Sequence, residues 1–178
     1  FAGELDGESG VDDLLKTVWY FNSFADTSRT WRLFYLGRHD RCEGAHVPMH
    51  DAVERYEMDS DLLTMASDLK ESQFYTAFRH AGMYASFDRG DLDGAGLIQA
   101  IAAGKPAIAV AEGAGATVLG DSPLLFDEVI HSAVADSMHR LLNDELWREK
   151  VMRQQRARLQ LFDHDAVAFT LRTIFSRF

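Results

Sequence analysis

The chain has 178 residues, 47% of them hydrophobic and 26% charged, which is ordinary for a globular protein and long enough for one domain with a full core. Its formal net charge of −10 argues against general binding to polyphosphate backbones, so no nucleic-acid partner is expected. No apolar run reaches bilayer length, and the single cysteine, Cys42, excludes an internal disulfide and fits a reducing compartment.

The first residues, FAGELDGESG, have neither the basic start nor the apolar centre of a signal peptide. They read as the end of a strand entered halfway, so a domain cut from a longer, cytoplasmic chain is expected. In VDDLLKTVWYFNSF, residues Val11, Leu14, Leu15, Val18 and Trp19 fall at helical spacing. WRLFYLG (31–37) is strand-like, with Gly37 at its end. LLTMA (62–66) is a weaker strand candidate, and Ser72 to His80 reads as a helix. AGMYAS (81–86) reads as a short strand of small residues.

A helix is predicted from about Ala95 to Ala103, stopped by Gly104 with Pro106 just beyond. PAIAVA (106–111) has no polar alternation, as expected of a central parallel strand. Further on, Val129, Ile130, Ala133, Val134, Met138, Leu141 and Leu142 form a helical stripe that breaks at Asn143-Asp144. Two more helices follow. REKVMRQQRAR (148–158) carries five basic residues against one acid and reads as a solvated helix face. Strands alternating with helices imply a Rossmann-like α/β fold, a parallel sheet with helices on both faces. Such sheets take ligands at the carboxyl ends of their strands. The loops that matter are then 3–10, 37–48, 86–95 and 111–122.

GELDGESG (3–10) has glycines for a close phosphate approach but no Lys or Arg, so it is not a P-loop. Its Glu4, Asp6 and Glu8 would repel a diphosphate. An acidic turn matched to a helix dipole is the competing reading. RHDRCEGAHVPMH (38–50) gathers His39, Cys42, His46 and His50, all good zinc ligands, at a spacing that fits no closed zinc motif. A polar surface loop is the competing reading there. FDRGDLDGAG (87–96) holds Asp88, Asp91 and Asp93 without the EF-hand pattern. Asp93 suits a helix cap, and Gly94 and Gly96 allow a ligand close to the backbone. His80, His131, His139 and His164 sit in helical stretches and are assigned to packing or solvent.

From Ser86 onward, S-x4-D-x2-G-x4-Q-A-I-A-A-G-K-P-A-I-A and then GATVLGDSPLLF resemble the C-terminal, donor-binding half of retaining, nucleotide-sugar-dependent glycosyltransferases of the GT-B fold, family 4 (group 1). The family signature is Glu-G-F-G-x-P-x-x-Glu-A-M-A-x-G-K-P-V. FAGELDGESGVDDLLKTV, WRLFYLG, FYTAFRHAGMYAS and LLFDEVIHSAVADSMHRLLNDELWREKV resemble the other segments of that half, in order, over nearly the whole chain.

The resemblance implies one domain, residues 1–178, that binds a UDP- or GDP-sugar with no metal and no resident cofactor. Its partner would be an N-terminal acceptor domain, and peripheral membrane association would come through that missing half. The activity implied is hexosyl transfer in glycan or polysaccharide synthesis. Asp91, Gly94, Gly96 and Gln99 fall on the donor-site positions, with Glu4 and Ser9 at the family's phosphate-holding Arg and Lys; no catalytic residue is implied within this half.

The departures are chemical. Gln99 stands at the second family Glu; it still accepts a ribose hydroxyl, without the charge-assisted share of the bond. Glu4 for Arg replaces a countercharge with a like charge, worth about 4 kcal/mol for a pair near 4 Å at surface dielectric. Arg89 or Lys105 could compensate. The competing function is a degenerate, non-catalytic domain of the same fold, acting as a scaffold or interaction module.

Overall fold

The structure, a computed structural model, describes residues 10–24, 33–37, 54–56, 63–67 and 70–175. In chain order come α1 (Val11–Phe24), β1 (Leu33–Gly37), β2 (Leu63–Ser67), α2 (Glu71–His80), β3 (Tyr84–Ser86) and α3 (Ala95–Ala102). Then follow β4 (Ala107–Val110), α4 (Gly115–Leu119), β5 (Leu125–Phe126), α5 (His131–Asn143), α6 (Glu145–Arg158), a 3-10 turn (Leu159–Phe162) and α7 (His164–Phe175). The expected FAGEL strand lies outside the described residues.

Every strand pairing is parallel among the described residues. β1 lies beside β2, with Leu33 opposite Leu63. β4 is the centre of a three-stranded sheet, with Tyr84 of β3 opposite Ala107 on one side and Leu125 of β5 opposite Ala109 on the other. All four β4 residues are buried, because the strand faces an apolar layer on each side. Ile108 and Val110 join the core formed with Leu14 and Leu15 of α1 and Val134 and Met138 of α5. Ala107 and Ala109 join the opposite core, with Leu97 and Ile101 of α3 and Val118 of α4. Side chains alternate across a strand, so this division is the α/β architecture with helices on both faces.

α3 ends where the sequence places its stop. The Gly104 N–H donates to the Ile101 carbonyl at 3.0 Å and the Lys105 N–H to the Ala100 carbonyl at 2.9 Å. Gly104 is left-handed at φ +75°, which completes a Schellman cap. Asp144 breaks the stripe by capping α6, its side chain accepting the Trp147 N–H at 2.9 Å.

Three expectations change. The segment 111–122 is not simply a loop, since α4 occupies its middle; a five-residue helix is too short to leave a periodic signature. The AGMYAS strand shrinks to Tyr84–Ser86. The basic helix α6 is not only a solvated face, because Val151 and Gln155 are buried. The Gln155 amide oxygen accepts the Ala107 N–H at 3.0 Å, and its amide nitrogen donates to the Ala107 carbonyl at 2.7 Å and to Ser122 Oγ at 3.0 Å.

Candidate functional site

The carboxyl ends of β3, β4 and β5 and the start of α1 meet at one edge. Gly10, just before α1, is left-handed, and a Cβ on it would lie 2.2 Å from the Phe87 carbonyl oxygen in the loop after β3. That loop is joined to the one after β4 by the Ala114 N–H, which donates to the Asp91 carbonyl at 2.7 Å. Gly113 at φ +65° makes the approach possible: a Cβ there would lie 2.5 Å from the same oxygen. α5 begins at the same edge, with His131 Nε2 3.0 Å from Asp13 Oδ1 in the first turn of α1.

The Asp91–Gln99 segment spans this edge and the start of α3. Asp91 Oδ1 accepts the Gly94 N–H at 2.9 Å and the Asp93 N–H at 3.2 Å. Asp93 Oδ1 accepts the Ala95 N–H at 2.8 Å. The two carboxylates thus satisfy N–H groups at and just before the start of α3, but the expected cap shifts: Gly94 holds the N-cap position without a side-chain bond, and Asp93, one residue earlier, bonds the first helical N–H instead. Gly94 takes the left-handed conformation at φ +64°. Gln99 is half-buried in α3, about 7.5 Å along the helix axis from Gly94 at 1.5 Å per residue.

The two glycines have an internal reason to be small. A Cβ on Gly94 would lie 2.7 Å from Val118 Cγ2, and one on Gly96 would lie 2.1 Å from the buried Tyr84 hydroxyl. Their open sides are filled by α4 and β3, so on that side neither keeps room for a ligand. Glu4 and Ser9 lie outside the described residues, as do His39, Cys42, His46 and His50. Among the described residues no cluster of three His, Cys, Asp or Glu side chains is arranged to hold a metal.

Charge at this edge is organised around Asp13 and Arg89. Arg89 Nε lies 2.9 Å from Glu112 Oε2, and its Nη2 lies 3.5 Å from Asp13 Oδ2. Asp13 therefore faces Arg89 with one oxygen and His131 with the other. The His131 ring also stacks on Tyr20, centroids 6.1 Å apart and planes at 10°. His131 thus belongs to the polar edge rather than to packing or solvent alone. Asp12 is neutralised separately, 2.8 Å from Lys16 Nζ and 3.8 Å from Arg55, with the Tyr56 hydroxyl donating to it at 3.1 Å. Burial pushes the Asp12 carboxyl up, but the Lys16 and Tyr56 hydrogen bonds and the two cations outweigh it and hold Asp12 below its usual value.

The two cations proposed as substitutes separate. Arg89 stands at the carboxyl edge, whereas Lys105 follows α3 and precedes β4, at the opposite end of the sheet. The sequence shows neither Asp13 and Glu112 as partners of Arg89 nor His131 as the second partner of Asp13. They come from three elements up to 118 residues apart, and no local spacing signals such a meeting.

The fold has clear relatives. The chain matches a sucrose-phosphate synthase (tll1590) from Thermosynechococcus elongatus with a TM-score of 0.76 at 20% identity, over 98% of this chain and 43% of that one. It matches Anabaena Alr3699/HepE, solved in complex with UDP, with a TM-score of 0.78 at 12% identity, over 99% of this chain and 47% of that one. It also matches the C-terminal domain of a glycosyl transferase group 1 family protein (LpcC) from Francisella tularensis, with a TM-score of 0.73 at 14% identity, over 90% of this chain and 82% of that domain. The chain spans less than half the length of the synthase and of HepE. No protein-family model and no curated protein sequence matches it. The likenesses show the fold alone, the α/β fold seen in the C-terminal domains of GT-B glycosyltransferases. Among the described residues no helix is long and apolar enough to cross a membrane.

Proposed function

We propose that this chain is the donor-binding half of a glycosyltransferase of the group 1, family 4 type. It holds a UDP- or GDP-sugar at the carboxyl edge of the sheet, without a metal, and presents it to an N-terminal acceptor domain. The supporting observation is that the segment with the donor signature, Asp91 to Gln99, follows the carboxyl end of β3, where open parallel sheets take their ligands. In this reading the Gln99 amide oxygen accepts a ribose hydroxyl. The Asp91–Gly96 backbone lies along the donor, and Glu4 and Ser9 stand beside the phosphates. Transfer takes place in the cleft between the two halves, on the cytoplasmic side, with membrane association through the acceptor half. The chain alone transfers no sugar.

Calorimetry with UDP, GDP and their sugars tests this reading. Binding tighter than about 1 mM, or roughly −4 kcal/mol, is expected for one of them. The Gln99→Ala variant should lose about 1–2 kcal/mol of it, one hydrogen bond's share. No binding to any of the four ligands sinks the reading.

A second reading is a degenerate domain of the same fold, serving as a scaffold or interaction module. It is favoured by the charge balance at the edge, where Glu112 and Asp13 face Arg89 and Lys105 precedes β4. The same titration decides between the two.

A further inference from the structure

We propose that Arg89 is the phosphate-binding cation of this site, held in place by Asp13 and covered by Glu112 until a ligand arrives. The proposal rests on the donor-binding reading above. The loop before α1, GELDGESG, has no basic residue. Lys16 and Arg55 are both turned to Asp12. Lys105 lies at the opposite end of the sheet from the loops after β3 and β4. Arg89 is the described cation that reaches between those two loops and the start of α1.

Its bonding leaves capacity for an anion. The two contacts engage Nε and Nη2, and a guanidinium has five N–H donors in a planar fork that matches phosphate. The side chain is 42% exposed and that of Glu112 is 60% exposed. An ion pair so open to water contributes little to stability, whereas an Arg–phosphate contact is charge-assisted and often bidentate. A phosphate therefore displaces Glu112 at small cost. The backbone need not move, because Gly113 is packed against the Asp91 and Arg89 carbonyls; only the Glu112 side chain swings away. Asp13 is held on its other oxygen by His131, so it keeps Arg89 aimed across the start of α1 while Glu112 leaves.

The competing possibility is that Arg89 only braces the two loops. The two roles predict opposite signs for one variant. If Glu112 covers a phosphate site, Glu112→Gln frees Arg89 and tightens UDP or GDP binding about threefold or more; if it is a brace, the change leaves affinity equal or weaker. Arg89→Ala should weaken nucleoside diphosphate binding at least about tenfold, the loss of a charged hydrogen bond. Uridine or guanosine, which lack the phosphates, should bind equally to wild type and both variants.

The experiment is calorimetric titration of the intact chain with UDP, GDP, uridine and guanosine, with thermal unfolding confirming that each variant is folded. Glu112→Gln provides the answer even if Arg89→Ala does not fold. Suppose wild type binds and Gln99→Ala weakens binding, but Glu112→Gln leaves diphosphate affinity within about twofold. The proposal then falls while the donor-binding reading stands. If neither wild type nor Glu112→Gln binds any nucleotide, both fall together.

Discussion

At the amino end of β4 a neutral side chain completes the sheet; at its carboxyl end charged side chains tie loops together. The Ala109 N–H donates to the Leu124 carbonyl on the β5 side and the Ala111 N–H to the Phe126 carbonyl. By alternation, the N–H and carbonyl of Ala107 face that side too. β5 begins only at Leu125 and is too short to reach them. Gln155, fully buried in α6, supplies both bonds from its amide and so takes the place of a strand residue. The other end is built differently. Arg89, Asp13 and Glu112 meet in ion pairs, with Arg89 and Glu112 well exposed to solvent. Buried neutral hydrogen bonds are costly to break because the groups left behind find no water. Exposed ion pairs rearrange easily because water replaces each partner. The first construction suits a fixed scaffold, and the second suits a place where something binds.

The contrast can be broken by substitution, and the largest effect is expected at the amino end. Gln155→Ala leaves the Ala107 N–H and carbonyl without partners in the core and should cost about 3 kcal/mol, read as a fall in the denaturant midpoint. A loss under about 1 kcal/mol would mean that water or another group replaces the amide. Next comes Gly96→Val, which forces a side chain onto the Tyr84 hydroxyl and should cost about 2 kcal/mol by overpacking. Arg89→Ala should change folding stability by less than about 1 kcal/mol, although its effect on nucleotide affinity is large. A stability loss comparable to that of Gln155→Ala would erase the distinction between the two ends.

The smallest expected effect is a dependence on acid. Asp12 is held below its usual value of 3.8 when folded. Its contribution is therefore present above that value and is lost as pH falls through the lower folded value. Asp144 behaves likewise, because the Trp147 N–H and then Arg140 favour its charged form. Thermal midpoints of Asp12→Asn should fall less than those of the wild-type chain between pH 5 and pH 2, at roughly the usual carboxylate range. Parallel curves would assign the acid response elsewhere.

Much of the scaffold was legible. The stripe of α1, the uninterrupted apolar run of β4, the stop at Gly104 and the break at Asp144 are local signals, each carried by a few adjacent residues. α4 was not legible as a helix, since five residues show no period. Gly94 and Gly96 were legible as special but for a different reason, because the atoms that need them small belong to Val118 and Tyr84. Gln155 looked like part of a polar surface because charge surrounds it in the sequence. Its partner, Ala107, lies 48 residues away.

The sequence by itself determined the alternation of strands and helices and the Asp91-to-Gln99 segment, along with the absence of basic residues just before α1. These follow from periodicity, turn chemistry and residue identity, which act within a few residues along the chain. Tertiary structure alone decided which cation reaches the carboxyl edge. It set Arg89 there and Lys105 at the far end, and it brought Asp13, Glu112 and His131 together from separate elements. Electrostatic partnership depends on distance through space, and distance along the chain does not specify it until the sheet has ordered its loops.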